Sequence, residues 1–205
     1  MNRAGWMFAV VAGVAMFAWA AVWGYPRPHP SPRGWQLEFQ YGPMKQIRLV
    51  LPGQSRTKTF WYLPYTVTNN TGRDVSFYPR SYLFTDTGQL VEAMQRVDAL
   101  AYPVIAELLG RELLEEELFV RGKLLQGEEN ARESVIIWRD FDPKAVAFKI
   151  FISGLSNESA WVTDPMTAKK VALVKTLQLT YGLGGDRDIS SELTAQPRDK
   201  EWIMR

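Results

Sequence analysis

Residues 57–72 read TKTFWYLPYTVTNNTG, a long aromatic and β-branched run that ends in a turn sequence. Such residues are typical of β-strands, and Asn, Thr and Gly after the run favour a turn. Pro64 lacks a backbone N–H, which predicts an edge strand or a bulge at that point. This stretch therefore predicts a long strand in a β-rich domain.

Aromatic side chains occupy both faces of this predicted strand, at Phe60, Trp61, Tyr62 and Tyr65. Successive residues of a strand point to opposite sides, so both faces are apolar. Either both faces are buried, one of them under a helix, or one face is a surface that recognises a partner. Under the second interpretation, Trp61, Tyr62 and Tyr65 are the candidate partner-surface residues, because exposed aromatic rings bind proteins and sugars well.

Short segments on both sides of this run show strand patterns as well. Residues 35–41 read WQLEFQY and alternate apolar and polar side chains, as a half-buried strand does. The other predicted strands are 44–51, 75–78, 82–85, 118–125, 135–138, 146–153 and 171–181. From Gly182 onward the chain is polar and predicts a loop. Seven or more short strands separated by turns predict a mainly β fold, an antiparallel β-sandwich spanning residues 35–205.

Residues 99–119 change from strand spacing to helical spacing and predict a helical insertion between the two halves of the sandwich. The apolar positions are Val104, Ile105, Leu108, Leu109, Leu113, Leu114 and Leu118. Gly110 interrupts the pattern, and Pro103 falls near the start, where proline is tolerated. The glutamates of the polar side predict a solvated helix face at Glu107, Glu112, Glu115, Glu116 and Glu117.

Two parts of the predicted sandwich carry a resemblance. Residues 65–72 (YTVTNNTG), followed by a second turn at residues 86–88 (DTG), resemble the immunoglobulin-like domains of exported bacterial proteins. Residues 138–143 (WRDFDP) and 151–156 (FISGLS) are similar to segments of uncharacterised membrane-anchored bacterial proteins. The resemblance implies an immunoglobulin-like sandwich attached to a membrane, and it implies no activity and no functional residues.

The N-terminal segment, residues 1–24, predicts a transmembrane anchor. Residues 4–23 are 20 consecutive uncharged, mostly apolar residues, which as a helix match the hydrocarbon thickness of a bilayer. A cleaved signal peptide is the alternative, since residues 18–20 (AWA) fit a cleavage pattern, but the apolar stretch exceeds the usual core of such peptides. The short N-terminal tail favours a single-pass protein whose domain lies on the periplasmic or extracellular side.

Small residues spaced four apart lie on one face of this predicted helix, at Gly5, Ala9 and Gly13. Such spacing lets two helix backbones approach closely in a membrane. Either this face packs against another membrane subunit or a second copy, or it only reflects the abundance of Ala and Gly.

Residues 25–34 read YPRPHPSPRG and predict a proline-rich linker in extended geometry. An isolated segment of this kind would hold the domain roughly 30 Å from the membrane. It acts either as a plain stiff linker or as a spacer or docking strip.

Composition excludes several classes of site. The chain has no cysteine, which excludes disulfides, thiol catalysis and thiolate metal sites, and its one histidine, His29, lies in the linker. A catalytic triad with histidine, a zinc site and a haem site therefore become unattractive interpretations. The net charge is only +2, so we expect no nucleic-acid partner, and we expect no cofactor.

Two acidic segments are candidate calcium sites. Asp140 and Asp142 lie two residues apart beside a predicted turn, and residues 184–188 read GGDRD. Each lacks the further oxygen ligands of a calcium loop, so ordinary turns are the better interpretation.

These features predict a non-enzymatic, membrane-anchored accessory or scaffold subunit that binds a partner protein outside the membrane. An extracytoplasmic module that binds a glycan or a lipid is the alternative, and it requires a deep apolar or aromatic pocket. A hydrolase that uses two carboxylates, roughly 5–10 Å apart across a cleft, is a third hypothesis.

Overall fold

The structure, a computed structural model, describes residues 25–111, 114–184 and 192–205. The strands are β1 (Glu38–Tyr41), β2 (Lys45–Val50), β3 (Thr57–Asn69), β4 (Val75–Phe77), β5 (Arg80–Thr85), β6 (Leu90–Glu92), β7 (Leu114–Glu115), β8 (Gly122–Leu124), β9 (Gly127–Arg139), β10 (Ala147–Ser153), β11 (Ser159–Thr163), β12 (Lys170–Gly182), β13 (Glu192–Thr194) and β14 (Gln196–Met204). The helices are α1 (Ala101–Leu109) and α2 (Glu117–Val120). The mainly β prediction is confirmed.

Sheet 1 is built around β3. Its order is β13-β2-β3-β9-β7, and β1 also pairs with β3. All these pairings are antiparallel except the short parallel pairing of β7 with β9. Trp61 lies opposite Trp138, and Tyr62 lies opposite Ile137, so β3 and β9 present matching apolar faces on both sides of the sheet.

Sheet 2 has the order β11-β12-β10-β5-β6, with β14 also paired to β12, and all its pairings are antiparallel. A separate two-stranded sheet joins β4 to β8. The long strand β12 holds sheet 2 together, because β10 and β14 flank its second half and β11 pairs with its first half.

The main core lies between sheets 1 and 2. Trp61 of sheet 1 meets Phe148 of sheet 2 with ring centroids 5.7 Å apart, and Phe148 stacks on Tyr181 at 5.3 Å. Ring–ring contacts of this kind stabilise the fold in addition to the free energy gained by burying the apolar area of the rings. The two sheets therefore form a sandwich-like pair of layers around one core.

A second, smaller core covers the outer face of sheet 1. Ala101 and Ile105 of α1 pack over Phe60 and Tyr62 of β3 and over Val135 and Ile137 of β9. Sheet 1 is therefore covered on both faces, which explains why β3 carries aromatic residues at consecutive positions.

Pro64 is neither on an edge strand nor in a bulge, which corrects the prediction for this residue. β3 lies between β2 and β9 in the sheet, and β1 takes over from β2 beyond Pro64. The Pro64 carbonyl accepts a bond from the Gly42 N–H in the turn between β1 and β2, so its nitrogen faces that turn rather than a ladder. The missing N–H is tolerated because no strand pairs with it there.

Two local predictions about secondary structure were wrong, and one strand had no prediction. The predicted loop after Gly182 contains β14, whose side chains are mostly exposed while its backbone pairs with β12. The predicted strand 118–125 is divided between α2 and β8. β11 was not predicted at all. In each case backbone pairing, rather than an apolar pattern, determines the strand.

The proline-rich linker lies against the domain. The His29 N–H donates to Glu158 Oε1 at 2.7 Å, and the Trp35 N–H donates to Asn157 Oδ1 at 2.9 Å. Gln36 then forms an isolated bridge with Ser156. These contacts hold the segment in place, so its length does not act as a free spacer.

Within the described residues, no helix has the length and apolar character needed to cross a membrane. The predicted anchor, residues 1–24 with Gly5, Ala9 and Gly13, lies outside them, and its interpretation stays a prediction.

Candidate partner-binding site

The three aromatic residues proposed as a partner surface are buried. Trp61 and Tyr65 point into the main core, and Tyr62 points into the core under α1. The Trp61 Nε1–H donates to Asp140 Oδ1 at 2.9 Å, and its ring stacks on Phe141 at 5.1 Å. The burial interpretation is the one that the structure adopts, and these side chains offer no surface to a partner.

Exposed apolar side chains occur instead on the helical insertion that follows β6. Asp98 organises its start, because Asp98 Oδ2 accepts bonds from Lys58 Nζ at 2.9 Å and Gln54 Nε2 at 2.8 Å. The Asp98 Oδ1 atom accepts the Leu100 N–H, and its carbonyl accepts the Ala101 N–H. The bonds from Lys58, from Gln54 and from the Leu100 N–H lower the pKa of Asp98 to about 2.

Gly110 ends α1 and changes the path of the chain. Its backbone is left-handed, with φ 60° and ψ 29°, and its N–H bonds to the carbonyls of Ala106 and Glu107. Glycine adopts this conformation without the steric cost that other residues meet. After Gly110 the chain turns back and pairs as β7 beside β9.

This turn corrects the prediction of one solvated glutamate face. Glu107 is exposed on α1, whereas Glu115 belongs to β7 and Glu116 precedes α2. Glu112 lies outside the described residues, and only the backbone of Glu117 is described. The glutamates therefore belong to different elements, because the helical pattern ends at Gly110.

A groove of about 590 Å³ lies between α1 and the β7–α2 segment. Its lining consists mainly of apolar and aromatic residues with two carboxylates at the rim, namely Ala99, Tyr102, Pro103, Leu114, Glu115, Glu116 and Phe119. The Tyr102 hydroxyl donates to the Leu114 carbonyl at 2.8 Å and holds the two walls together. We call this feature the insertion groove.

A large apolar side chain remains exposed at the insertion groove, because Phe119 is 65% exposed at its wall. Leu108 of α1 is also 60% exposed, but it is not among the residues that line the groove. An exposed aromatic side chain at a concave, largely apolar surface is typical of interaction sites.

One ion pair and two hydrogen bonds to backbone carbonyls hold the walls of the insertion groove. Arg132 Nη1 of β9 lies 3.3 Å from Glu115 Oε2 and donates to the Phe119 carbonyl at 2.8 Å. The Ser134 Oγ–H donates to the Glu115 carbonyl at 2.7 Å. Burial, followed by the nearby charges of Glu116 and Glu115, raises the pKa of Tyr102. The groove therefore combines an apolar floor, a negative rim and walls fixed to sheet 1.

Of the two acidic segments that are candidate calcium sites, the structure fully describes only the one with Asp140 and Asp142. Asp140 accepts the Trp61 Nε1–H, and Asp142 Oδ1 accepts the Lys144 N–H at 2.9 Å in the turn that follows. Residues 185–188 lie outside the described residues. In the part of the chain that is described, no three Asp, Glu or His side chains are grouped as metal ligands.

Sequence reasoning missed the insertion groove, although one signal was available. That signal is Phe119, an aromatic residue in a segment rich in glutamates, because a solvated helix face does not require an aromatic side chain. No family model, no curated protein and no solved structure matches the chain. The interpretation of the site therefore depends on its geometry.

Proposed function

We propose that this protein is a non-enzymatic, membrane-anchored accessory or scaffold subunit. In this proposal residues 1–24 form a single transmembrane anchor, and the domain is an immunoglobulin-like sandwich on the periplasmic or extracellular side. The apolar sequence of residues 4–23 supports the anchor, and the two sheets around one core support the fold type. The domain binds a partner protein.

The observation that carries the proposal is the insertion groove. A partner that fills the groove and buries the exposed part of Phe119 gains about 1–2 kcal/mol from that side chain. The groove walls are held by the bonds from Arg132 and Tyr102, so little ordering is required when the partner binds. A pre-formed apolar groove with rigid walls favours a stable contact with a partner protein.

The charges at the rim indicate the chemistry of the partner. Glu115 and Glu116 line the groove, and Arg132 is paired with Glu115, so Glu116 leaves the rim with a net negative charge. A segment that presents apolar side chains flanked by Lys or Arg complements it, because opposite charges speed association and favour one orientation. We infer that the partner is a protein segment of this basic and apolar type.

The alternative of a glycan- or lipid-binding module has weaker support. An aromatic groove does lie on the outer face of sheet 2, over Tyr82 and Phe151. It measures about 220 Å³, below the usual range of ligand pockets, and the Arg205 guanidinium already lies 4.0 Å from the Phe151 ring.

The hydrolase alternative requires two carboxylates that face each other across a cleft. Among the described residues, Asp98, Glu115 and Glu158 each pair with a basic side chain. The roles of these three carboxylates are structural, so none of the three supports the hydrolase.

The test is photocrosslinking of the full-length protein in its own membranes. A photoreactive phenylalanine analogue at position 119 is expected to crosslink to one discrete protein. The matched control is the same analogue at Tyr78, an aromatic residue with 64% exposure on another part of the surface, where no such product is expected. Equal products at both positions, or a protein that stays monomeric in mild detergent without any product, would overturn the proposal.

Two variants then separate binding from folding. Phe119→Ser is expected to abolish the crosslinked complex recovered through a tag while changing the unfolding free energy by less than about 0.5 kcal/mol, as exposed substitutions usually do. Glu116→Lys is expected to weaken the complex and to reduce its salt dependence.

A further inference from the structure

A β-hairpin formed by β11 and the first half of β12 projects beyond the sandwich. Pairing runs from Ser159 opposite Val174 to Thr163 opposite Lys170. Residues 163–172 are exposed at almost every position, on both faces of the hairpin. The paired strands extend about 16 Å at 3.3 Å per residue.

The tip of the hairpin is a well-bonded loop. The Asp164 N–H donates to the Lys169 carbonyl, and the Ala168 N–H donates to the Asp164 carbonyl, each at 2.8 Å. The Asp164 carboxylate accepts the Met166 N–H at 2.8 Å and the Thr167 Oγ–H at 2.7 Å. The loop is therefore held in one shape, and its carboxylate is turned toward its own backbone.

The hairpin displays apolar side chains beside lysines. Met166 is 93% exposed at the tip and Trp161 is 69% exposed on β11. Lys169 and Lys170 are both exposed at the start of β12. A tryptophan, an apolar tip and lysines together are the composition that favours the interface of a bilayer with anionic lipids.

The chain enters the domain at the base of this hairpin. Tyr25 and the three residues after it line a groove with residues 201–205 at the end of β14. Arg205 and Val174 exchange backbone hydrogen bonds of 2.8 and 3.0 Å, and Val174 is the first pair of the hairpin. Tyr25, the first described residue after the apolar residues 4–23, thus lies on the part of the sandwich from which the hairpin projects.

The docked linker leaves little slack between the predicted anchor and the domain. The His29 N–H is bonded to Glu158, the residue that precedes β11. With the hydrocarbon boundary placed at the end of the predicted anchor, beside Tyr25, a reach of about 16 Å from the base of the hairpin brings its tip to the headgroup layer.

We propose that the β11–β12 hairpin inserts its tip into the interface of the bilayer that holds the anchor, with Met166 at the acyl boundary, Lys169 and Lys170 on anionic headgroups, and Trp161, which is nearer the base, in the outer headgroup layer. Of the proposed function, this proposal requires only the membrane anchor and not the partner-binding groove. Two attachments, the anchor and the hairpin, fix the orientation of the sandwich and so the direction in which the insertion groove faces.

The absence of cysteine from the chain gives a direct test. Met166→Cys carries a nitroxide label in the full-length protein, reconstituted into nanodiscs that contain phosphatidylglycerol. Leu90→Cys is the matched control, because Leu90 is an exposed apolar residue on β6, at the opposite end of β5 and β10 from the hairpin. The label at 166 is expected to be accessible to oxygen and shielded from a water-soluble nickel complex, and the label at 90 is expected to show the reverse.

Charge provides the second readout. Two lysines at about 1 kcal/mol each correspond to a roughly 30-fold change in the docking equilibrium. The label at position 166 should therefore become accessible to the nickel complex in the variant Lys169→Gln with Lys170→Gln. The same result is expected for the unchanged lysines in nanodiscs of phosphatidylcholine alone.

The remaining outcomes overturn the proposal in distinguishable ways. A chain that floats with lipid vesicles but leaves position 166 as nickel-accessible as position 90 overturns the hairpin contact and leaves the anchor intact. A chain that fails to float overturns the anchor together with the hairpin contact. A label at 166 that is shielded from both oxygen and nickel indicates a protein contact, such as a second copy, and also overturns it.

Discussion

Replacing Glu158 with glutamine is expected to destabilise the domain strongly, because it leaves a buried lysine without its counter-charge. Glu158 Oε2 lies 2.9 Å from Lys175 Nζ, and the two side chains are only 10% and 3% exposed. Lys175 points toward the main core from β12, near the Trp202 ring. The substitution keeps an oxygen for the His29 N–H, removes the negative charge, and replaces the oxygen that accepts from Lys175 Nζ with an amide nitrogen.

The magnitude follows from two opposing terms. At 2.9 Å and an effective dielectric constant of 20, the attraction between the charges is about 6 kcal/mol. Removing each charge from water costs several kcal/mol, so the intact pair contributes little net stability. Removing one partner leaves the other cost uncompensated, and since this pair lies at the end of the sheet we expect a loss of about 3 kcal/mol.

Urea unfolding of the full-length protein in mild detergent, followed by near-ultraviolet circular dichroism, measures this loss. The double variant Glu158→Gln with Lys175→Met removes both charges and is expected to come within about 1 kcal/mol of the original protein. A single variant that loses less than about 0.5 kcal/mol, or a double variant no more stable than the single one, would refute the reasoning.

Three further predictions concern pH, a helix end and the core. Burial by itself raises the pKa of Glu158, but the bonds from the His29 N–H and Lys175 lower it overall from 4.5, so its contribution is present above pH 4.5 and lost as the pH falls through the folded value. Thermal unfolding between pH 7 and 3 should therefore be less pH-dependent in Glu158→Gln. Gly110→Ala places a side chain at φ 60° and should cost about 1 kcal/mol in urea unfolding, whereas an unchanged midpoint would contradict the argument. Phe148→Ala removes the ring that bridges the two sheets and should cost about 3–5 kcal/mol in the same assay, and a loss below about 1 kcal/mol would count against that packing.

The mainly β class and several strands were predictable because side-chain patterns determine them locally. The alternation in residues 35–41 and the run in residues 57–68 both correspond to strands of sheet 1. The helix was predicted as well, but its end was not. A longer helix can accommodate Gly110, and the chain leaves the helix there because β7 pairs with β9. Local periodicity cannot decide between two such structures of similar local energy.

The candidate site was less predictable than the fold. Trp61 and Tyr62 were assigned to opposite faces of one strand, and the sequence left open which face is covered. The structure covers both, and it exposes Phe119 at the insertion groove instead. Exposure depends on which elements pack on a face, and that information is absent from the pattern of the face itself.

The sequence by itself determined the mainly β class, the helical insertion, the exclusion of thiol chemistry and the apolar segment that predicts an anchor. These follow from composition and from periods of two or 3.6 residues, which act over a few neighbouring positions. Only the tertiary structure decided that residues 196–204 form a strand, that Lys175 is buried beside Glu158, and that the linker docks at the base of the β11–β12 hairpin. Each of these depends on residues distant in the chain, because backbone pairing and charge burial are satisfied by whichever partners the fold brings together.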